Sequence, residues 1–162
     1  MPKVILICGK ICCGKTTYAK KLVKEQNTVL LSCDEITLAL FGQHIGEKHG
    51  EMVERTMKYL FNKSLEVVST GVNVILDFGF WTRDDRGEAA SFYKQNSITT
   101  EWHYIDVSSE VWIKNLAKRN QAIESGKTDD YYIDDNIANK FWRIFEEPTT
   151  DEIDVWYKND WE

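Results

Sequence analysis

Short apolar runs alternate with amphipathic stretches along this chain of 162 residues. The first run, Val4 to Cys8, is continuous and rich in β-branched and aliphatic residues, which is typical of a strand buried on both faces of a parallel sheet. Similar runs predict five strands, at residues 3–8, 28–33, 72–76, 99–107 and 153–157. The alternation predicts an α/β fold, a three-layer α/β/α sandwich around a five-stranded parallel sheet, with ligands at the carboxyl ends of the strands.

Helical spacing of apolar residues fills the intervals between these runs. It predicts helices at residues 14–26, from 34 to about 42, 51–69, 84–95, 108–119 and 133–145. Glycine and histidine cluster without periodicity between residues 42 and 50, so we predict a mobile substrate loop there and a substrate region over 36–60. Residues 119–132 are polar and contain Gly126, and we predict that they form a short lid. No repeat or interdomain linker is evident, and residues 1–162 are interpreted as a single domain.

The net charge and the cysteine spacing restrict the classes of partner and ligand that the chain is expected to bind. The formal net charge of −6 and the pI of about 5.2 provide no overall positive field, so we expect neither a long nucleic acid nor a membrane as partner. Cys8, Cys12, Cys13 and Cys33 are spaced neither as a CxxC pair nor as a zinc ribbon, and we predict reduced thiols in a cytoplasmic protein. The oligomeric state is left open by the sequence.

The segment between the first predicted strand and the first predicted helix matches GxxxxGK[ST] at every required position. Such a loop turns backbone N–H groups towards phosphate oxygens, and the helix that follows adds a partial positive charge. We expect Lys15 to bridge the phosphates of ATP and the Thr16 hydroxyl to bind Mg²⁺. The nucleotide-binding residues predicted in this way are Gly9, Lys10, Ile11, Cys12, Cys13, Gly14, Lys15, Thr16 and Thr17.

Two aspartates follow predicted strands, where ligands of a parallel sheet bind. Asp34 ends the second strand and is predicted to accept the proton of an attacking hydroxyl, with an N-cap of the next helix as the alternative. Asp77 ends the hydrophobic run of the third strand in the manner of a Walker B aspartate, and we predict that it holds magnesium through water.

Candidates for the acceptor side lie beyond these aspartates. Trp81 and Arg83 follow the third strand, and we predict acceptor contacts for both; the alternatives are packing for Trp81 and solvation for Arg83. Arg119 is predicted as a catalytic cation that closes over the transferring phosphate, with an interaction at a helix C-terminus as the alternative. His44 and His49 are loop residues near the predicted acceptor region.

With the glycine loop, Asp34, Asp77 and Arg119 in this order, the chain resembles the adenylate-kinase-like small-molecule kinases. It is most similar to the AAA family ATPase-like kinases akin to chloramphenicol phosphotransferase and zeta toxin. The resemblance implies a strand order of 2-3-1-4-5, Asp34 as base or acceptor ligand, and Arg119 as the lid arginine. It also implies an ATP-dependent phosphotransferase that acts on a hydroxyl of a small molecule. The run after Asp77 departs from the Asp-Gly-Phe-Pro-Arg of adenylate kinases, which disfavours a nucleoside monophosphate as acceptor.

Other functions of the same loop are alternatives to this hypothesis. A nucleotide-binding ATPase or a binding module needs only the loop, and a polynucleotide 5′-kinase shares the loop and the strand-end aspartate. A regulatory GTPase is disfavoured because no Asn-Lys-x-Asp signature occurs. Antibiotics, sugars, nucleotide sugars and small metabolites all fit the predicted acceptor pocket.

Overall fold

The computed structural model of the protein describes residues 1–43, 46–128 and 130–160. Its five strands form one parallel sheet in the order β2-β3-β1-β4-β5, which confirms the expected fold class and strand order. The strands are β1 (Val4–Cys8), β2 (Thr28–Ser32), β3 (Asn73–Gly79), β4 (Thr100–Val107) and β5 (Val155–Asn159).

Helices cover both faces of this sheet. They are α1 (Lys15–Glu25), α2 (Cys33–Phe41), α3 (His49–Ser69), α4 (Arg83–Gln95), α5 (Ser109–Glu124) and α6 (Asp135–Ile144). Two short 3₁₀ turns, Gly46–Lys48 and Thr150–Glu152, complete the regular structure. In the part of the chain that the structure describes, no helix has the length and apolarity needed to cross a membrane.

The central strand β1 is buried at every position, and its side chains divide the core in two. Ile5 and Ile7 face the layer that contains α1 and α5. Val4, Leu6 and Cys8 face the opposite layer, which contains α3 and α4. This alternation follows from the two-residue period of a strand. Each buried aliphatic side chain stabilises the fold by about 1.5–3 kcal/mol, so β1 holds the glycine loop on a firm base.

Some element ends differ from the sequence-based expectation. The third strand continues past the expected end at residue 76, because Asp77 pairs with Ser32 and Ile7, and Gly79 pairs with Cys8. The fifth strand begins and ends two residues later than expected, at Val155 and Asn159. The helix that includes His49 begins at that residue, so His49 is helical and does not lie in a loop. His44 lies outside the described residues.

Helix α5 was expected to end at Arg119, and this expectation was wrong. The helix continues to Glu124, Ser125 is its C-cap, and the following Gly126 has a left-handed φ of 72°. The N–H of Gly126 donates to the carbonyl of Ile123 and that of Lys127 to the carbonyl of Ala122, which is the Schellman pattern of helix termination. Arg119 therefore lies inside the helix, so an interaction with the helix C-terminus does not explain its position.

Candidate phosphate-binding site

The glycine loop leaves β1 at the centre of the sheet, and its shape depends on two glycines. The N–H of Gly9 donates to the carbonyl of Gly79 at 3.0 Å, and a Cβ on Gly9 would lie only 2.6 Å from the sulfur of Cys13. Gly14 adopts a left-handed φ of 96°, and a Cβ there would lie 2.4 Å from Nδ2 of Asn159. Both positions therefore require glycine. Gly9 is required by close packing, and Gly14 by close packing and by its left-handed φ.

Lys15 begins α1 and folds its side chain back over the loop. Its Nζ donates to the carbonyls of Gly9 at 3.1 Å and Lys10 at 2.7 Å. Burial alone would lower the pKa of Lys15, but the negative charge of groups such as Asp77 and Asp34 outweighs burial and raises the pKa. The ammonium group is therefore charged, and its hydrogen bonds hold it against the loop backbone.

The next residue, Thr16, is joined to the end of β3. Its hydroxyl donates to Oδ2 of Asp77 at 2.8 Å, and Asp77 is itself buried. A hydroxyl and a carboxylate side by side, next to a phosphate-binding loop, are the oxygen ligands that Mg²⁺ prefers in phosphoryl-transfer sites, where water and phosphate complete its coordination. The residues present thus fit a magnesium ion, with Thr16 and Asp77 as the side chains that would hold it.

Asp34 lies in the first turn of α2, but it does not cap that helix. The N-cap is Ser32, whose hydroxyl accepts a hydrogen bond from the N–H of Glu35 at 3.3 Å. Asp34 is exposed to solvent, but its carboxyl is crowded by neighbouring atoms, and this partial loss of hydration raises its pKa; the charge of Asp77 acts in the same direction. Lys15 and Arg119 oppose the shift, which places all three charged groups within electrostatic range of Asp34.

One face of α5 lies against the loop and supplies three donors to it. Trp112 Nε1 donates to the carbonyl of Ile11 at 2.7 Å, and Asn115 Nδ2 donates to the carbonyl of Cys12 at 3.3 Å. Arg119 Nη1 reaches the sulfur of Cys12 at 3.6 Å. These three residues share one helical face because they are three and four positions apart.

Sequence reasoning identified Arg119 but missed three other residues that contact the loop. Trp112 and Asn115 carried a signal, because they precede Arg119 at helical spacing. Asn159, at the end of β5, donates from Nδ2 to the carbonyl of Cys13 at 2.7 Å. Asn159 carried no signal in the sequence, because its place depends on how β5 pairs with β4.

Burial raises the pKa of the Cys12 and Cys13 thiols, so both remain protonated near neutral pH.

The segment after α5 reaches across to the helices that follow β2. The hydroxyl groups of Tyr131 and Thr37 lie 3.2 Å apart, and Gln43 Nε2 donates to the carbonyl of Asp130 at 3.0 Å. The ring of His49 meets Tyr131 edge-on, with ring centroids 5.4 Å apart. Arg119 Nε donates to the carbonyl of Tyr131 at 3.2 Å. The predicted lid residues described here thus link the arginine to α2 and α3.

Three predicted site residues lie apart from this group of charges. The ring of Trp81 packs on Phe141 of α6, with centroids 4.6 Å apart. Arg83 is exposed at the start of α4 and lines a shallow groove along that helix with Gly87. Lys10 Nζ lies 3.6 Å from the centroid of the Trp142 ring, a cation–π contact on the outer side of the loop. Acceptor contacts for Trp81 and Arg83 remain predictions.

Comparisons with known proteins agree with this geometry. The family model of the AAA domain, AAA_33, matches residues 4–138. A crystal structure of a candidate kinase from Chloroflexus aurantiacus J-10-fl superposes with a TM-score of 0.73 at 17% identity, over 97% of this chain and 86% of that chain. No curated protein matches the sequence significantly.

Two further solved structures share the fold. A chain of the Pnkp1/Rnl/Hen1 RNA repair complex superposes with a TM-score of 0.69 at 20% identity, over 88% of this chain and 43% of that chain. The APS kinase CysC of Mycobacterium tuberculosis, in complex with AMPPNP and APS, superposes with a TM-score of 0.63 at 14% identity, over 99% of this chain and 90% of that chain. The chain therefore belongs to the AAA_33 family of AAA domains, and it shares the α/β fold of these solved structures.

Proposed function

We propose that the protein transfers the γ-phosphoryl group of Mg-ATP to a hydroxyl of a small molecule. The observation that carries this proposal is the position of Asp34. It lies in the first turn of α2, two residues after Ser32, which pairs with Asp77 at the end of β3, and Asp77 accepts the hydrogen bond of Thr16 beside the phosphate loop. Nucleotide binding needs only the loop. Phosphoryl transfer also needs a base for the attacking hydroxyl, and a carboxylate in this position suits that role.

In the proposed reaction, the acceptor oxygen attacks the γ-phosphorus and forms a new P–O bond. The bond from that phosphorus to the β,γ-bridging oxygen breaks, and ADP leaves with the electron pair. The proton of the acceptor hydroxyl passes to the carboxylate of Asp34. Lys15 and Arg119 stabilise the negative charge on the phosphoryl oxygens. Thr16 and Asp77 would hold the magnesium ion of Mg-ATP, which would supply further neutralisation of the phosphate charge.

The test is a transfer assay with γ-labelled ATP, Mg²⁺ and separate pools of aminoglycosides, chloramphenicol-like compounds, sugars, nucleotide sugars and nucleosides. A short RNA with a 5′-hydroxyl is included because of the likeness to a chain of an RNA repair complex. Lys15→Ala and Asp34→Asn are assayed in parallel, with Lys20→Ala, an exposed lysine on α1, as the matched control.

We expect label in one pool, loss of transfer in both site variants and full transfer in the control. Label on the RNA alone would replace the small molecule with a polynucleotide as the acceptor. ATP hydrolysis without transfer to any pool, unchanged by Asp34→Asn, would overturn the assignment and favour an ATPase or a binding module.

A further inference from the structure

A groove between α3 and α4 has the size of a small-molecule site. Its volume is about 640 Å³, within the range of about 300–1,000 Å³ that such sites occupy. The α3 residues that line it recur every three or four positions, as Val53, Met57 and Phe61 do, and those from α4 recur in the same way. The groove is therefore bounded by one face of each helix, and Phe80 after β3 also lines it.

This groove lies beside elements of the phosphate-binding site. Cys33, the neighbour of Asp34, directs its thiol to the carbonyl of Val53 at 3.8 Å. Phe80 follows Gly79, whose carbonyl accepts a hydrogen bond from Gly9 of the loop. Helix α3 ends shortly before β3 begins, and α4 begins shortly after β3 ends. The N-terminal turns of both helices therefore lie near the carboxyl edge of the sheet. The groove therefore lies at the same edge of the sheet as Asp34 and the loop.

The charges that line the groove are mostly negative. Glu54 and Glu88 bring two exposed carboxylates, Asp85 brings a third that accepts the Thr82 N–H in the cap of α4, and Lys58 brings one ammonium group. An anionic acceptor such as a sugar phosphate or a nucleotide would meet repulsion here, whereas a cation would be attracted.

Apart from Gly50 and Asn62, the remaining lining is apolar and aromatic. The ring centroids of Phe61 and Phe92 lie 5.4 Å apart, and those of Phe61 and Phe80 lie 6.5 Å apart. Aromatic faces stabilise ammonium groups and bury apolar carbon. Rings combined with carboxylates form the usual recognition chemistry for an amine attached to an apolar body.

We propose that this groove binds the phosphoryl acceptor and that the acceptor is a hydroxyl compound with an apolar body and an ammonium group. This inference rests on the proposed function, because it names the substrate class of the same site. The apolar body lies against Met57, Phe61 and Phe92, the ammonium group lies near Glu54 and Glu88, and the hydroxyl points towards Asp34. Arg83 lines an adjoining groove on α4, which shares Glu88 and Phe92 with this one.

The experiment compares acceptors that share a ring and a hydroxyl and carry a positive, neutral or negative group beside it. Phenylethanolamine, its N-acetyl derivative and mandelic acid share an aromatic ring and a hydroxyl, and equivalent sets are built on a cyclohexane and a sugar ring. Each compound is tested for phosphoryl transfer and, by calorimetry without ATP, for direct binding. The variants are Glu54→Gln with Glu88→Gln, and the charge reversal Glu54→Lys. Glu66→Gln, an exposed residue of α3 outside the groove, is the control.

We expect the ammonium compound to be the best acceptor and ligand in its set, with an advantage of about tenfold or more over the N-acetyl form. The double Gln variant should lose this advantage because its KM for the ammonium compound rises. Glu54→Lys should make the ammonium compound the poorer acceptor, and Glu66→Gln should behave like the wild type. Asp34-dependent transfer to neutral or acidic compounds with equal efficiency would overturn this inference and leave the proposed function intact. Glu54-dependent binding of ammonium compounds without any transfer would support the groove's specificity and overturn the proposed function.

Discussion

At the scale of single residues, the site contains a carboxylate whose ionised form the fold disfavours. Partial loss of hydration raises the pKa of the exposed Asp34 above its ordinary value of 3.8, and Asp77 adds to the shift. Because the folded state binds this proton more tightly than the unfolded state does, Asp34 stabilises the fold at acidic pH, and that stability is lost as pH rises through the raised pKa.

The variant Asp34→Asn should therefore unfold at a higher temperature than the wild type at neutral pH, although it loses transfer. The difference in Tm should shrink as the pH falls towards 3.8, where Asp34 of the wild type is protonated as well. Thermal unfolding followed by circular dichroism at several pH values measures this. A lower Tm at neutral pH would mean that contacts of the charged carboxylate outweigh its loss of hydration.

The same ionisation should appear in the kinetics of the enzyme. A general base must be deprotonated, so kcat/KM should rise with pH through the pKa of Asp34 in the free enzyme and then level off. The midpoint should lie above 3.8, because partial loss of hydration raises this pKa. Initial rates of ADP release in the presence of the acceptor measure the profile. A rate that stays constant over this range would exclude Asp34 as the base.

Gly14 offers a test of the loop's geometry. Gly14→Ala faces a left-handed φ of 96° and a contact of 2.4 Å with Asn159, whereas Gly71→Ala faces a φ of 88° with no atom within 4 Å. Both should lose about 1 kcal/mol or more of unfolding free energy through φ. Gly14→Ala should lose more, because it also displaces Asn159 from the carbonyl of Cys13. Urea titration of the two variants measures the difference, and equal losses would show that the Asn159 contact adds no stability.

At the scale of elements, α5 serves as a support for the phosphate loop. Trp112→Phe removes the hydrogen bond to the carbonyl of Ile11 and keeps the aromatic packing. One such bond contributes about 0.5–1.5 kcal/mol, so ATP affinity should fall by up to about tenfold if the loop relaxes before nucleotide binds. Calorimetric titration with ATP measures this, and Ile113→Ala, on the exposed side of the same helix, should bind normally. Equal affinity in all three proteins would show that the loop holds its shape without α5.

The same element shows why some boundaries were predictable and others were not. Gly126 is a helix-ending signal in the sequence, yet the polar segment before it has no apolar period, and the helical turn from Asn120 to Glu124 was therefore missed. Asn120 instead holds the turn through hydrogen bonds to both the N–H and the carbonyl of Ile133. Contacts of this kind join distant segments, and local sequence patterns do not reveal them.

At the scale of the whole molecule, the layers follow directly from the hydrophobic pattern, because β1 must be covered on both faces. The loop residues and Asp77 come together at one edge because parallel strands end there. Asn159 and the groove between α3 and α4 were not predictable, since the first depends on strand register and the second on the distance between two helices. Sequence reasoning therefore found the residues next to the loop in the chain more readily than those that the fold brings to it.

Nucleotide binding should be visible as stabilisation of the whole fold. A ligand at one hundred times its Kd adds about 2.7 kcal/mol to the free energy of unfolding when it binds only the native state. Mg-ATP should thus raise the Tm of the wild type and of Asp34→Asn, because the phosphate contacts do not involve that carboxylate. Lys15→Ala should show little or no shift, whereas Lys20→Ala should respond like the wild type. Differential scanning fluorimetry with and without Mg-ATP separates these cases. A full shift in Lys15→Ala would mean that backbone N–H groups alone hold the phosphates, and the ammonium group of Lys15 would then serve only the transfer step.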